Sequence, residues 1–79
     1  MKETMSKETK NLIDTLTKNL VLKIMNVFGL KITEALDIVY NSHLYEKILD
    51  TKTGLYYQSA GYNYEMLREE YLNGRIINY

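Results

Sequence analysis

The sequence predicts an all-α domain, a small four-helix bundle, and three observations carry that prediction. Apolar residues recur three or four positions apart, which is the spacing of one face of an α-helix. The chain has no proline, and its four glycines are the natural points of interruption. Serines stand where helices can begin, at Ser6, Ser42 and Ser59. The 79 residues form one domain (1–79), with predicted tails at 1–5 and 75–79.

One long N-terminal helix is predicted from Ser6, as its N-cap, to Gly29, as its C-terminal cap. Six apolar residues share a face about 120° wide: Leu12, Ile13, Leu16, Leu20, Ile24 and Val27. Leu22 and Met25 project from the opposite side. Either neighbouring helices cover both sides of this helix, or Leu22 and Met25 contact a partner or a second copy.

Two short helices, broken at Asn41-Ser42, are predicted next. The first begins at Thr33 and has the apolar set Ile32, Ala35, Leu36, Val39 and Tyr40. The second has the apolar set Leu44, Tyr45, Ile48 and Leu49. In one continuous helix these sets would point roughly 180° apart, which no single buried face can satisfy. Ser42 can cap a new helix that runs to about Asp50.

The last part of the chain predicts a turn and one C-terminal helix. Residues 50–54 read as a tight connection with Gly54 at positive φ, and residues 55–57 as a short extended piece. Ser59 caps a helix that ends at Asn73-Gly74. Its predicted face is Ala60, Tyr64, Leu67 and Tyr71.

Composition excludes several kinds of site. Cysteine is absent and His43 is the only histidine, so disulfides, thiolate metal sites and multi-histidine sites are excluded, and we predict no metal and no cofactor. No apolar run reaches the roughly 18–20 residues of a membrane span, and the polar N-terminus resembles no signal peptide. We therefore predict a cytoplasmic protein that does not bind a membrane.

The net charge is zero but unevenly spread. Residues 1–31 hold six lysines and three acids, a balance of +3, and residues 32–79 hold four basic and seven acidic residues, a balance of −3. There is no lysine or arginine cluster, so nucleic acid is not indicated as a partner, and the charges are interpreted as two solvated faces.

No residue pattern predicts catalysis. Ser42 and His43 are adjacent and point in different directions, so Ser42 is interpreted as a cap and His43 as exposed. Glu65, Glu69 and Glu70, with Arg68 among them, are interpreted as an ordinary solvated helix face. We therefore predict that the chain is not an enzyme.

Eight tyrosines are the most unusual feature. Tyr40, Tyr45, Tyr64 and Tyr71 have helical spacing and are interpreted as rings at the margin of the core. Tyr56, Tyr57 and Tyr62 lie on or beside a loop, and tyrosine is enriched at interface hot spots. The predicted partner contacts are Leu22, Met25, Tyr56, Tyr57, Tyr62, Ile76, Ile77 and Tyr79.

Residues 31–72 resemble a family of short bacterial proteins known only as a domain of unknown function. The matching residues are Ala35-Leu36, Tyr40-Asn41-Ser42, Leu44-Tyr45, Ile48-Leu49-Asp50, the run from Thr53 to Ser59, Tyr64, Leu67 and Glu69-Glu70. The resemblance implies an accessory or antitoxin-like protein, encoded beside other proteins of which some are similar to ADP-ribosyltransferases. The family pattern has proline after the capping serine, where this chain has Ala60-Gly61.

The sequence thus favours a protein-interaction module, with the product of a neighbouring gene as the expected partner. Two alternatives stay open. The chain could be a homodimeric structural protein that uses Leu22, Met25 or its tail, or a nucleic-acid-binding regulator that uses the lysines of the first helix.

Overall fold

Four α-helices make up the fold in the computed structural model, which describes residues 5–73. They are α1 (Lys7–Phe28), α2 (Ile32–Tyr40), α3 (His43–Leu49) and α4 (Ala60–Leu72), and two 3-10 turns, Thr51–Thr53 and Leu55–Tyr57, join α3 to α4. Of the described residues 83% are helical and none lies in a strand, which confirms the all-α class. Nearly all of both predicted tails, with the candidate contacts Ile76, Ile77 and Tyr79, lies outside the described residues.

The predicted serine caps are confirmed. The side chains of Ser6, Ser42 and Ser59 each accept a hydrogen bond from a backbone N–H three residues later, at 3.0–3.1 Å. Gly29 ends α1 at φ 66°, a left-handed conformation that favours glycine. The break is confirmed as well, because α2 ends at Tyr40 and α3 begins at His43.

Two predictions of local structure were wrong. The helix expected from Thr33 begins at Ile32, because the Glu34 side chain accepts the backbone N–H of Lys31 at 2.8 Å and fixes an earlier first turn. The segment expected to be extended, Leu55–Tyr57, is a 3-10 turn. It is closed by a hydrogen bond from the Gln58 N–H to the carbonyl of Leu55 at 3.1 Å.

The core forms around α1, which packs against α2, α4 and the second 3-10 turn, while α3 packs against α4. Its buried apolar residues are Ile13, Leu16, Leu20, Val21, Ile24, Ala35, Val39, Leu44, Ile48, Tyr64 and Leu67. No helix within residues 5–73 is long and apolar enough to cross a membrane.

The buried face of α1 is rotated from the predicted one. Leu12 and Val27 were expected in the core but are exposed, and Thr17 and Val21 are buried instead. Thr17 and Val21 lie on the side of α1 that faces α2, and the Thr17 hydroxyl donates to the carbonyl of Ile13 at 2.7 Å, which makes its burial tolerable. Val27 lies in the last turn of the helix, one residue before its end.

Candidate functional site

Three tyrosines at residues 56–62, which we call the tyrosine segment (Tyr56, Tyr57 and Tyr62), include the two most exposed aromatic rings within residues 5–73, those of Tyr57 and Tyr62. Tyr57 is 65% exposed and Tyr62 is 55% exposed. Tyr56 is half-buried against the core, and its ring meets that of Tyr57 edge to face, with centroids 5.0 Å apart. The segment therefore combines one anchored ring with two rings that face solvent.

The 3-10 turn that carries Tyr56 and Tyr57 is held at both ends. Gly54 precedes it at φ 70°, and a Cβ atom placed on Gly54 would lie 3.0 Å from the Tyr57 hydroxyl, so the Tyr57 ring lies across this glycine. The side-chain amide of Asn63, in α4, donates to the carbonyls of Leu55 and Ser59 at 3.0 and 3.1 Å. Sequence reasoning missed Asn63, which is fully buried.

A groove between α1 and α2, which we call the α1–α2 groove, contains Leu22, another of the predicted partner contacts. Leu22 is 47% exposed there, whereas Met25 is partly buried and packs against the core. The groove has a volume of about 250 Å³. Its lining residues are Asp14, Thr17, Lys18, Val21, Leu22, Ile32, Leu36 and Tyr40. The sequence did not single out Ile32, Leu36 and Tyr40 as surface residues, because they share the period of the buried residues of α2.

A second concavity, the α2–α4 cleft, contains His43. Its volume is about 560 Å³, and it is lined by Asp37, Ile38, Asn41, Ser42, His43, Leu67, Glu70 and Tyr71. The Ser42 hydroxyl donates to the carbonyl of Val39 at 2.7 Å while it caps α3, so its proton is held by the backbone. Within residues 5–73, no three side chains of histidine, aspartate or glutamate come together as a metal site.

Glu70 caps α3 from the neighbouring helix, a role that the sequence did not indicate. Its carboxylate accepts the backbone N–H groups of His43 and Leu44, at 2.7 and 3.1 Å. Glu70 was predicted to lie on a solvated face with Glu65 and Glu69. The ion pairs of Glu65 and Glu69 with Arg68 fit that prediction, and Glu70 does not. Since the two partners lie 26 and 27 residues away, only the tertiary fold brings them together.

Glu70→Ala is expected to lower the free energy of unfolding by about 1–2 kcal/mol, because two N–H groups at the start of α3 lose their charged acceptor. Glu69→Ala is the matched control, since its exposed side chain makes only a 3.9 Å contact with Arg68 and is expected to cost less than about 0.5 kcal/mol. Urea denaturation of both variants measures the difference. Equal losses would contradict the assigned role of Glu70.

The four tyrosines predicted at the margin of the core differ in burial. Tyr45 and Tyr71 are half-buried as expected, and Tyr40 is 51% exposed with its ring 4.9 Å from that of Tyr45. Tyr64 was expected at the margin but is buried, and within residues 5–73 its hydroxyl has no hydrogen-bond partner. Its ring packs in the core, where burial of the large aromatic surface stabilises the fold. The Lys23 ammonium lies 5.4 Å from the centroid of this ring.

Burial raises the pKa of the Tyr45 phenol above its usual value of 10.0, and the nearby Tyr40 and Asp14 raise it further. The fold therefore favours the neutral phenol, and this contribution to stability is complete below about pH 10 and is lost as the pH rises above it. Tyr45→Phe is expected to lose less stability than the wild type between about pH 9 and pH 11. Urea denaturation at several pH values in this range measures the free energy of unfolding of both proteins. If it falls equally with pH in the variant and in the wild type, the prediction is contradicted.

Comparisons of the chain with protein-family models, with curated proteins and with solved structures found no match. The family resemblance at residues 31–72 therefore rests on the sequence pattern alone.

Proposed function

We propose that the chain is a protein-interaction module that binds another protein through the tyrosine segment. The observation that carries the proposal is the strong exposure of Tyr57 and Tyr62, at 65% and 55%, on a backbone that is fixed on both sides. A tyrosine ring offers a large, amphipathic contact area and has few rotatable bonds to immobilise. Tyrosine is one of the residue types enriched among those that contribute most to the binding free energy at protein interfaces.

The support beneath these rings favours binding by a preformed surface. Gly54 and Asn63 fix the 3-10 turn, and the Tyr56 ring packs edge to face against the Tyr57 ring. Ser59 fixes the first turn of α4, where Tyr62 lies, because its hydroxyl accepts the Tyr62 N–H at 3.0 Å. A surface that is ordered before contact loses less conformational entropy when a partner binds.

The proposed partner is the product of a neighbouring gene, and the proposed role is that of a cytoplasmic accessory or antitoxin-like protein with no catalytic activity of its own. The lysines of α1 lend less support to a nucleic-acid regulator. Two of the four lysines of α1 already have contacts within the chain: Lys10 is paired with Asp14 at 3.3 Å, and the Lys23 ammonium lies 5.4 Å from the centroid of the Tyr64 ring.

The test is co-expression with the product of each flanking gene, followed by co-purification. We expect a complex with one of these products, and we expect Tyr57→Ala combined with Tyr62→Ala to weaken it at least about tenfold. Tyr40→Ala is the matched control, because it removes a tyrosine of similar exposure (51%) from the α1–α2 groove and is expected to leave the complex intact.

Two outcomes would overturn the proposal. If no flanking product forms a complex with the chain, the partner class is wrong. If the double variant binds as tightly as the wild type, or Tyr40→Ala weakens binding equally, the tyrosine segment is not the contact surface.

A further inference from the structure

We propose that Asn73 is a modification site, at which the side-chain amide is lost spontaneously through attack by the backbone nitrogen of Gly74. The site lies at the opposite end of α4 from Tyr62, and it is independent of the proposed function. The proposal rests on the residue that follows Asn73, on the position of Asn73 in the fold and on the constraints that hold the other asparagines.

The reaction requires only the chain and water. The backbone nitrogen of Gly74 gives its proton to a solvent base and forms a bond to Cγ of Asn73. The bond from Cγ to Nδ2 then breaks, and the amide nitrogen takes up protons and leaves as ammonia, which leaves a succinimide ring. Water opens the ring to aspartate if the bond from Cγ to nitrogen breaks, or to isoaspartate if the backbone C–N bond breaks. No atom changes oxidation state, so neither an oxidant nor a reductant takes part.

The residue after an asparagine determines how easily the backbone nitrogen reaches Cγ. The two atoms must approach to roughly 3–3.5 Å in the correct alignment, and a Cβ atom on the following residue crowds this approach. Asn73 alone among the seven asparagines of the chain precedes a glycine, which has no Cβ atom. The others precede leucine, valine, serine or tyrosine. The sequence therefore favours reaction at Asn73.

Asn73 also lies where closure of the ring does not disturb the helix. It is exposed and forms the C-cap of α4, at φ −89° and ψ 9°. Its N–H donates to the carbonyl of Glu69 at 3.0 Å and is the last backbone donor of α4 within residues 60–73. Ring closure rotates the chain about the Cα–C bond of Asn73, which moves only the atoms that follow. The backbone hydrogen bonds of α4 within residues 60–73 therefore stay intact.

Four other asparagines lie inside helices, where the same rotation is blocked. They are Asn11, Asn19 and Asn26 in α1 and Asn63 in α4. Rotation about a Cα–C bond inside a helix displaces every later residue and breaks hydrogen bonds between residues four positions apart. We therefore expect these asparagines to react slowly, even where their side chains are exposed.

Asn41 has the next smallest following residue, Ser42, but the fold holds both of them. The Asn41 amide donates to the carbonyl and to the carboxylate of Asp37, each at 2.9 Å. The backbone N–H of Ser42, which would be the attacking group, donates to the carbonyl of Val39 at 3.2 Å, and Ser42 is buried. Reaction at Asn41 requires these hydrogen bonds to break, so the structure also favours Asn73 over Asn41.

The modification adds a negative charge where α4 tolerates it least. The C-terminus of a helix carries partial negative charge, and Glu69 and Glu70 lie four and three residues before Asn73. Isoaspartate also lengthens the backbone by one carbon atom, Cβ. We expect both products to loosen the last turn of α4, in which the Tyr71 ring contacts that of Phe28 at 4.8 Å between centroids.

Ageing of the purified chain at mildly alkaline pH tests the proposal, with ion-exchange chromatography and peptide mass mapping as readouts. The wild type is expected to gain one negative charge in the peptide that contains Asn73. Its rate is expected to rise with the hydroxide concentration. Gly74→Val is expected to slow the reaction at least about tenfold, since misplacement of reacting atoms by about 1 Å can lower a rate about a hundredfold.

Leu12→Gly is the matched control for the fold, because it creates a second Asn-Gly pair inside α1, at an exposed position. In the folded variant we expect Asn11 to react at least about tenfold more slowly than Asn73. In concentrated urea, which removes the helix, we expect the two asparagines to react at similar rates.

Three results would overturn the proposal: an Asn73 that reacts no faster than Asn19 in the wild type, a Gly74→Val variant that reacts as fast as the wild type, or equal rates for Asn11 and Asn73 in folded Leu12→Gly. The aged wild type is also expected to unfold at a lower urea concentration than the fresh protein, whereas aged Gly74→Val is expected to keep its midpoint. Equal midpoints for fresh and fully modified wild type would refute the loosening of α4.

Discussion

Asn63→Asp is expected to lower the free energy of unfolding by about 3–5 kcal/mol, because it places a carboxylate in a fully buried position. The Asn63 amide now donates to the carbonyls of Leu55 and Ser59. An ionised aspartate has no hydrogen to donate and would face these two oxygens with a negative charge. A 79-residue domain has a total stability of about 4–12 kcal/mol, so the loss is a large share of it.

Asn19→Asp is the control for this substitution, since it makes the same chemical change at an exposed position in the middle of α1. We expect it to change the free energy of unfolding by less than about 0.5 kcal/mol. Chemical denaturation followed by circular dichroism measures both variants. Because aspartate and asparagine have nearly the same volume, a cavity cannot explain a difference. Similar stabilities would show that the Asn63 amide does not hold the 3-10 turn.

Ile48→Ala is expected to cost about 2–5 kcal/mol, because Ile48 has no exposed surface and packs in the core from α3. Leu49→Ala, one residue later, is expected to cost less than about 1 kcal/mol, since Leu49 is 41% exposed. Urea denaturation of the two variants gives the comparison. The pair is informative because both changes shorten a four-carbon aliphatic side chain of the same helix to a methyl group.

The order of these two losses depends on the break at Asn41-Ser42. If α2 continued without interruption to Asp50, a step of 100° per residue would place Leu49 close to the buried side of Ala35 and Val39, and Ile48 away from it. A larger loss for Leu49→Ala than for Ile48→Ala would therefore contradict the break.

Local features of the chain could be predicted from the sequence because their causes lie within a few residues. Ser6, Ser42 and Ser59 cap helices through N–H groups three positions away, and Gly29 adopts its left-handed conformation as expected. The break could also be predicted, because two apolar sets on opposite sides of one helix cannot share a core.

The remaining features arise from contacts between distant residues. Glu70 reaches the start of α3 across 26 residues, and nothing near it in the sequence marks it apart from Glu69. Thr17 can be buried because its hydroxyl is satisfied within its own helix, and the apolar pattern cannot reveal this. The exposure of Leu12 depends on which side of α1 the other helices occupy, and an apolar residue at the edge of a predicted face can fall on either side.

The candidate surfaces were predicted in part. Tyr57 and Tyr62 were singled out because helical burial did not account for them, and both are exposed. Leu22 was singled out together with Met25, and the structure separates them: Leu22 lines the groove, and Met25 joins the core. The role of Ile32, Leu36 and Tyr40 beside Leu22 could not be predicted, since it depends on how α2 is rotated against α1.

The central claim is that the chain reverses its buried side at Asn41-Ser42 and that α4 then caps the new helix, which places both candidate surfaces on one closed bundle. Nuclear Overhauser contacts in solution test it most directly. We predict contacts between the backbone N–H of Leu44 and the side-chain protons of Glu70, with an interruption of the sequential helical contacts at Asn41-Ser42. An unbroken series of helical contacts from Thr33 to Asp50, without any contact between Leu44 and Glu70, would contradict it.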